Sequence, residues 1–540
     1  MPADTRRNFL LGTGLFGTGE LLAQGRPDPR LSARAAHSLR LRQSAALTES
    51  FRTPASLATN GDEALYPTLF ANFTKGLSHS QLGEVDPTQY QALLYALSTQ
   101  QHSDFEKIPI GFGRKLVNCE SAFTYDLEGG DSQTFTMPVP PAFNSAQVAA
   151  EMVELYWQAA LRDTPFSQFP TSPVAQAAAA ELTALSGYQG PRDSNNRVTA
   201  DNLFRGTAPG CLTGPYLSQY LLQTVYFGST PREQTYRTGM PGVDYMTVYS
   251  EWLELQSGLP PYRTEVFDPT FRYIRTGRDL AQFVHYDYTY QAFLQAALII
   301  LNQYPEQVLN FNTYQLNHTN PYKTSRIQTG FTTFGSAHAL DWVARVANLA
   351  LKPACFQKWA VHRRVRPEAF AGCVYNTVNG AAKYPVHADL LNSKALAANI
   401  AAIGGALLPQ AYVEGCPLHP SYPAGHAVIA GACATVLKAL FEETDLVSAV
   451  VTPSDDGLSL LPDSAAALTI GGELNKLAFN IPMARNWAGI HYRSDASAGL
   501  LLGEAVAIAF LQDNVNTFTE TFAGFQFTKF DGTAVSIAPE

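Results

Sequence analysis

The chain has 540 residues, enough for one large core or for more than one domain. Its 46% hydrophobic and 15% charged content is that of an ordinary folded protein and excludes a largely disordered chain. A formal net charge of -9 with no Lys/Arg stripe to offset it argues against nucleic-acid binding.

The N-terminus places Arg6 and Arg7 ahead of a short glycine-rich apolar run, and Ala23-Gln24-Gly25 has the small-x-small form of a cleavage site. Residues 1–25 therefore read as a twin-arginine export signal, which would deliver the chain to the periplasm or the exterior. The alternative is a basic arm on a cytoplasmic protein, a reading that Glu20 favours. No later stretch reaches the roughly 18 apolar residues of a membrane span. The best run, 292–301, is short and contains Gln295.

Residues 26–335 read as a helical scaffold. Asp86-Pro87 is a helix start, with Tyr90, Leu93, Leu94 and Leu97 on one face. Ser145 opens a helix carrying Val148, Met152, Leu155 and Tyr156, and the alanines at 177–180 have high helix propensity. A few residues at 134–138 suggest a short strand, and 278–304 reads as helix throughout, with apolar residues at near-helical spacing. Pro- and Gly-rich loops separate these elements. Six scattered cysteines show no C-x-x-C spacing, so no zinc, iron–sulfur or covalent haem pattern is present.

Residues 336–518 resume the helical pattern as a second bundle: 341–351, a restart at Pro353 that carries Lys358, then 389–407, 425–441, 473–488 and 495–512. Residues 519–540 form a tail whose weak alternation at 525–536 allows a hairpin. The expected fold is all-α, built of packed helical bundles with the functional pocket among helices of the C-terminal half.

Three clusters in this half carry chemistry: KWAVHRRVRP at 358–367, HPSYPAGH at 419–426 and ARNWAGIHYRSD at 484–495. Lys358, Arg366 and Arg485 are fixed cations, His419, His426 and His491 lie beside them, and Asp495 is the one carboxylate placed to join. Guanidinium groups clamp tetrahedral oxyanions through paired hydrogen bonds, and a lysine adds a point charge. Gly425 lies where a Pro-rich loop becomes a helix, so free N–H groups and the positive helix end would face the anion. Asp495, four residues past His491, can fix that ring's tautomer. His338 and His362 lie on helical stretches and read as packed or exposed rather than ligating, whereas Asp287, in H-Y-D-Y-T-Y, is a candidate partner of His426.

The order Lys…Arg-Pro, Pro-x-Gly-His, Arg-x5-His-x3-Asp resembles the vanadium-dependent haloperoxidases and the acid phosphatases that share their site. Lys358 and Arg366 stand eight apart and His419 seven before His426, which resembles the bromoperoxidase branch. ATNGDE (58–63), ANFTKGL (71–77) and DLEGGD (126–131) extend that resemblance upstream. The resemblance implies a vanadate cofactor, one per subunit, with Lys358, Arg366, Arg485 and the Gly425 amide on its equatorial oxygens and His491 as the axial vanadium ligand. It implies His426 as acid–base, Lys358 as polariser of bound peroxide, and His419 as tuner of the halide pocket. The partners implied are hydrogen peroxide, bromide or iodide, small organic acceptors, and further copies of the chain as a homodimer or larger homo-oligomer.

Two positions depart from the pattern. Ala424 replaces the usual serine, removing one hydroxyl from the anion's surroundings, and Cys355 stands where relatives tend to carry tryptophan or arginine. Two rival readings remain: a phosphate monoester hydrolase working through His491 as nucleophile and His426 as acid, and a non-catalytic oxyanion-binding module.

Overall fold

The computed structural model describes residues 29–301, 315–463 and 467–539, so the expected export signal lies outside the described residues. The chain divides into two compact units, 1–53 and 54–540. The first contributes one helix, α1 (Pro29–Phe51).

The second unit is mainly helical. Helix α2 (Pro87–Thr99) starts as expected, with the Asp86 carboxylate accepting from the Thr88 N–H and Tyr90, Leu93 and Leu97 buried. Ser145 caps α3 (Ala146–Leu161), which buries the expected apolar face and also Glu151 and Glu154. Ser172 caps α4 (Pro173–Ala184), and α5 (Tyr249–Gln256) follows. Among the described residues, strands occur only as four antiparallel pairs: β1 (Val225–Phe227) with β2 (Thr230–Arg232), β3 (Tyr236–Gly239) with β4 (Phe267–Arg272), β5 (Val451–Pro453) with β6 (Leu460–Pro462), and β7 (Phe525–Thr528) with β8 (Ala534–Ile537). The last pair is the hairpin allowed at 525–536.

Four expected elements differ. The helix expected over 278–304 is two, α6 (Gly277–Phe283) and α7 (Gln291–Leu301), with 302–304 outside the described residues. Aromatic, aspartate and threonine residues of low helix propensity fill 284–290, and the His285 ring is held at both nitrogens by Glu265 (3.2 Å) and Glu414 (2.7 Å). The 134–138 strand is absent: a 3-10 turn, Ser132–Thr134, sits there, and the Phe135 carbonyl accepts from Gln357 instead of a neighbouring strand. The helix expected over 389–407 is one turn, Ala388–Leu391, and α10 (Lys394–Ile403), parted by Ser393, whose hydroxyl caps the second.

The fourth difference bears on the site. Pro353 does not restart a helix but lies inside α8 (Ser336–Cys355), which continues as a π-helix through Phe356–His362. Proline removes one N–H, and the ladder after it widens until Arg363 N–H donates to the Lys358 carbonyl five residues back. Arg363 ends it at φ +40°. Helix α9 (Pro367–Val378) then begins directly after Arg366.

At the centre is α11 (Gly425–Leu440), packed against α8, α12 (Ile470–Trp487) and above all α13 (Arg493–Val515). The last contact is close because both helices offer glycine. A Cβ on Gly431 would meet the Leu500 carbonyl at 2.1 Å, and one on Gly503 would meet that of Val428 at 2.0 Å. By length and composition α13 is the one described helix long and apolar enough to cross a membrane, although charged residues interrupt its apolar run; it is mostly buried, packed against α8 and α11.

Candidate active site

The three clusters form two walls. In the first, the π-helix carries Lys358, whose ammonium donates to the carbonyls of Pro420 (2.7 Å) and Ser421 (3.0 Å) in the loop before α11. Arg366 bridges the other two clusters: Nε donates to the His419 carbonyl (2.9 Å), Nη2 to His419 Nδ1 (2.9 Å), and Nη1 to the Ile490 carbonyl and His491 Nε2 (both 2.9 Å). His491 Nδ1–H donates to Asp495 Oδ2 at 2.8 Å. The tautomer is thereby fixed from both sides, because Asp495 takes the Nδ1 proton and Arg366 donates to the Nε2 lone pair.

Asp495 is fully buried and holds this wall together. It accepts from the Ser421 hydroxyl (2.5 Å) and the Tyr492 N–H (3.1 Å), and its Oδ1 accepts from Arg364 Nη1 (2.7 Å). Arg364 reaches on to Glu151 of α3 (3.1 Å) and lies over the Tyr492 ring at 4.0 Å. Burial alone would raise the Asp495 carboxyl; Arg364, His491 and Ser421 outweigh it and hold the group well below the usual carboxylate range.

The second wall hangs on residues 284–290. His426, at the start of α11, places Nε2 3.1 Å from Asp287 Oδ1. Arg485, near the end of α12, donates to the Val284 carbonyl (3.0 Å) and lies 5.3 Å from the Tyr412 ring, which is stacked on His285. Among the described residues, neither the His426 nor the Arg485 side chain hydrogen-bonds to the first wall. Their link to it is electrostatic and through the chain: Arg485 depresses both Lys358 and Arg366, and Ala424 N–H donates to the Asp495 carbonyl at 3.0 Å, fixing the start of α11.

Burial, reinforced by neighbouring like charge, disfavours the charged forms in this wall. Burial pushes Lys358 well below the ordinary lysine value, and Arg366 adds to it. Burial also brings Arg366 down to about 10, with Arg485 contributing. His419 and His491 are held well below the ordinary histidine value by burial first and Arg366 next. An entering anion opposes the like-charge part of each shift.

The donors fit a tetrahedral oxyanion. Arg485 Nε is buried without a partner among the described residues, and Ala424 leaves the N-terminus of α11 without a side-chain cap. A Cβ on Gly425 would meet nothing closer than Leu351 at 3.9 Å, so the backbone is uncrowded on that side. Among the described residues no three His, Cys, Asp or Glu side chains are grouped to chelate a metal cation.

The other candidates lie elsewhere. His338 accepts from the Phe334 N–H (2.9 Å), and His362 packs edge-on against Tyr422 at 5.0 Å; both are buried packing residues. Cys355 is half-buried at the edge of the Phe73, Trp359 and Leu418 cluster, and all six cysteines are free thiols.

Sequence reasoning missed Arg364, Glu151 and Ser421. It also treated the upstream motifs as scaffold, yet each sends a charge to 345–368. Glu63 pairs with Arg363 (2.6 Å), Lys75 with Glu368 (2.7 Å), Asp126 with Lys352, and Glu128 with Arg345 (2.5 Å). Opposite charges within motifs far apart in the chain were the available signal.

A family model described as the VCPO second helical-bundle domain matches residues 407–520, which include His419, His426, Arg485 and His491. A vanadium-dependent bromoperoxidase of Ascophyllum nodosum is 36% identical over 493 residues, covering 87% of this chain and 86% of that protein. The chain belongs to the vanadium-dependent bromoperoxidase family. Another bromoperoxidase, from Corallina officinalis, is 34% identical over 612 residues, covering 95% of this chain and 100% of its own. The solved homohexamer of the second vanadate-dependent bromoperoxidase of Ascophyllum nodosum superposes with a TM-score of 0.89 at 32% identity, over 94% of this chain and 91% of that one. A bromoperoxidase fold of this kind agrees with the expected all-α class.

Proposed function

We propose that the chain is a vanadate-dependent bromoperoxidase, which oxidises bromide, and iodide, with hydrogen peroxide to a hypohalous-acid equivalent that halogenates small organic acceptors. The observation that carries the reading is Arg366 bridging His419 and His491 beside an uncapped helix N-terminus and the unpartnered Nε of Arg485.

Lys358, Arg366, Arg485 and the Gly425 amide would hold the oxygens of one vanadate per subunit, and His491 would offer it Nε2, the nitrogen left without a proton when Nδ1–H donates to Asp495. When bound, vanadate supplies Lewis-acid activation of peroxide for oxygen transfer to bromide without a change of its own oxidation state. The chain does the rest. Asp287 holds His426 at Nε2, leaving Nδ1 to exchange a proton with the reacting oxygen. Lys358, anchored by two carbonyls, would present its charge to the oxyanion, and His419, held by Arg366, would border the halide.

Assembly as a homo-oligomer belongs to the same reading and is supported by the homohexameric relative; light scattering of the purified chain tests it. Export through Arg6 and Arg7 is proposed from the sequence and tested by N-terminal sequencing of protein from each cell fraction. The central experiment assays metal-stripped protein with and without orthovanadate. Vanadate should switch on bromination of a phenolic dye; vanadate-inhibited hydrolysis of a phosphate ester, with no bromination, would establish the phosphatase reading instead.

A further inference from the structure

The loop that holds His426 carries phenols on its outer side. Asp287 has a buried carboxylate, yet the residues on either side, Tyr286 and Tyr288, are 64% and 81% exposed. Neighbouring Cα atoms are about 3.8 Å apart, so both tyrosines are carried one residue away from the aspartate that meets the His426 ring, and their exposure leaves them open to solvent. The two differ. Tyr286 donates its hydroxyl to Glu265, and burial and that carboxylate both keep it a neutral phenol. Its ring also packs tilted against His285 at 4.4 Å. Tyr288 is the most exposed tyrosine of the loop.

We propose that Tyr288 is a modification site, the chain's own first acceptor, whose ring is brominated beside the hydroxyl when the enzyme turns over without an organic substrate. This rests on the bromoperoxidase reading, which supplies hypobromous acid from peroxide and bromide. The ring carbon next to the hydroxyl attacks bromine; a C–Br bond forms and the Br–O bond breaks. The proton on that carbon leaves with the hydroxide as water, and the ring is oxidised as bromine is reduced. Tyr286, held as a neutral phenol against Glu265, reacts more slowly.

Exposure alone would also favour Tyr288, so the test compares two sources of the same reagent. Full-length, vanadate-loaded protein is given peroxide and bromide, a second sample is given reagent hypobromite, and peptides are read by mass spectrometry for the bromine isotope doublet. The references are Tyr95 and Tyr125, exposed to 61% and 64% on other segments. Turnover should enrich the mark on Tyr288 over these references by roughly tenfold relative to reagent hypobromite, because a residue carried next to Asp287 meets the oxidant where it is released, at a concentration above that in bulk. Tyr288→Phe should lose the mark and keep dye bromination unchanged. Equal ratios from the two sources, with dye bromination intact, overturn the proposal alone; absence of dye bromination from loaded protein removes it together with the bromoperoxidase reading.

Discussion

In the wall made by Lys358, Arg366, His419, His491 and Asp495, each polar side chain is held by other buried protein atoms, whereas His426 and Arg485 depend on one loop at 284–290. The first wall is rigid and charge-compensated from behind by Arg364 and Glu151; the second is half-open, with the His426 side chain 18% exposed. The difference separates two tasks. Holding an anion requires donors fixed before it arrives, while moving protons requires a ring that solvent and peroxide can reach.

Substitutions should therefore fall into two classes, and the largest effect belongs to the first wall. Arg364→Ala strands Asp495 and Glu151 as buried carboxylates and should cost about 3–5 kcal/mol of stability in chemical denaturation, with loss of activation by orthovanadate. An unchanged denaturation midpoint would mean that the wall is not braced from behind.

Next comes the acid side. Burial holds His338 and His362 at about 4, while the unfolded chain binds those protons near the ordinary histidine value of 6.5. The unfolded state thus binds more protons, so stability is full above pH 6.5, falls as pH drops towards 4, and is flat with respect to these groups below that. Each contributes up to about 3 kcal/mol. His362→Phe should make the melting temperature fall less steeply across that window, and since His362 packs on Tyr422 behind the first wall, His426 activity at neutral pH should not change.

The second wall should answer in rate rather than in stability. Asp287→Ala frees the His426 ring and should lower kcat by about 10–100-fold while leaving vanadate affinity within about twofold. A parallel loss of vanadate affinity in a titration would merge the two walls into one. The smallest effect is expected at Ala424, where Ala424→Ser returns a hydroxyl to the start of α11 and should tighten vanadate binding by about 1 kcal/mol, or roughly fivefold.

Much of this was legible in the letters. Lys358, Arg366, His419, Gly425, His426, Arg485, His491 and Asp495 lie in three short clusters whose spacing is specific; direct contacts join Arg366, His419, His491 and Asp495, with Lys358 on the neighbouring loop carbonyls, while His426 and Arg485 meet the loop at 284–290. Asp287 was reachable because an acid among aromatics is unusual on a stretch that otherwise reads as helix. That same stretch shows the limit: Phe283, Tyr290 and Leu294 keep a near-helical period straight through a break made by tertiary ties, from His285 to Glu265 and Glu414. Periodicity registers burial and is blind to such ties. Arg364 and Glu151 stayed hidden because a buried ion pair spanning 213 residues leaves no local pattern. Pro353 misled because proline usually marks a boundary, and only the widened π-turn after it shows how the helix carries on.

The four ion pairs sent forward by the upstream motifs set how small this protein can be made. Lys75 and Glu368 are both almost fully buried, so a fragment starting near residue 336 would keep Glu368 in the interior with its counter-charge deleted, and would also lose Glu151 from behind Arg364. The residues that would do the chemistry are contiguous enough to be cut out as a gene segment, but the charges that let them fold are spread over the first 151 positions. Miniaturisation of this catalyst has to begin by rewriting those partners, not by trimming the chain.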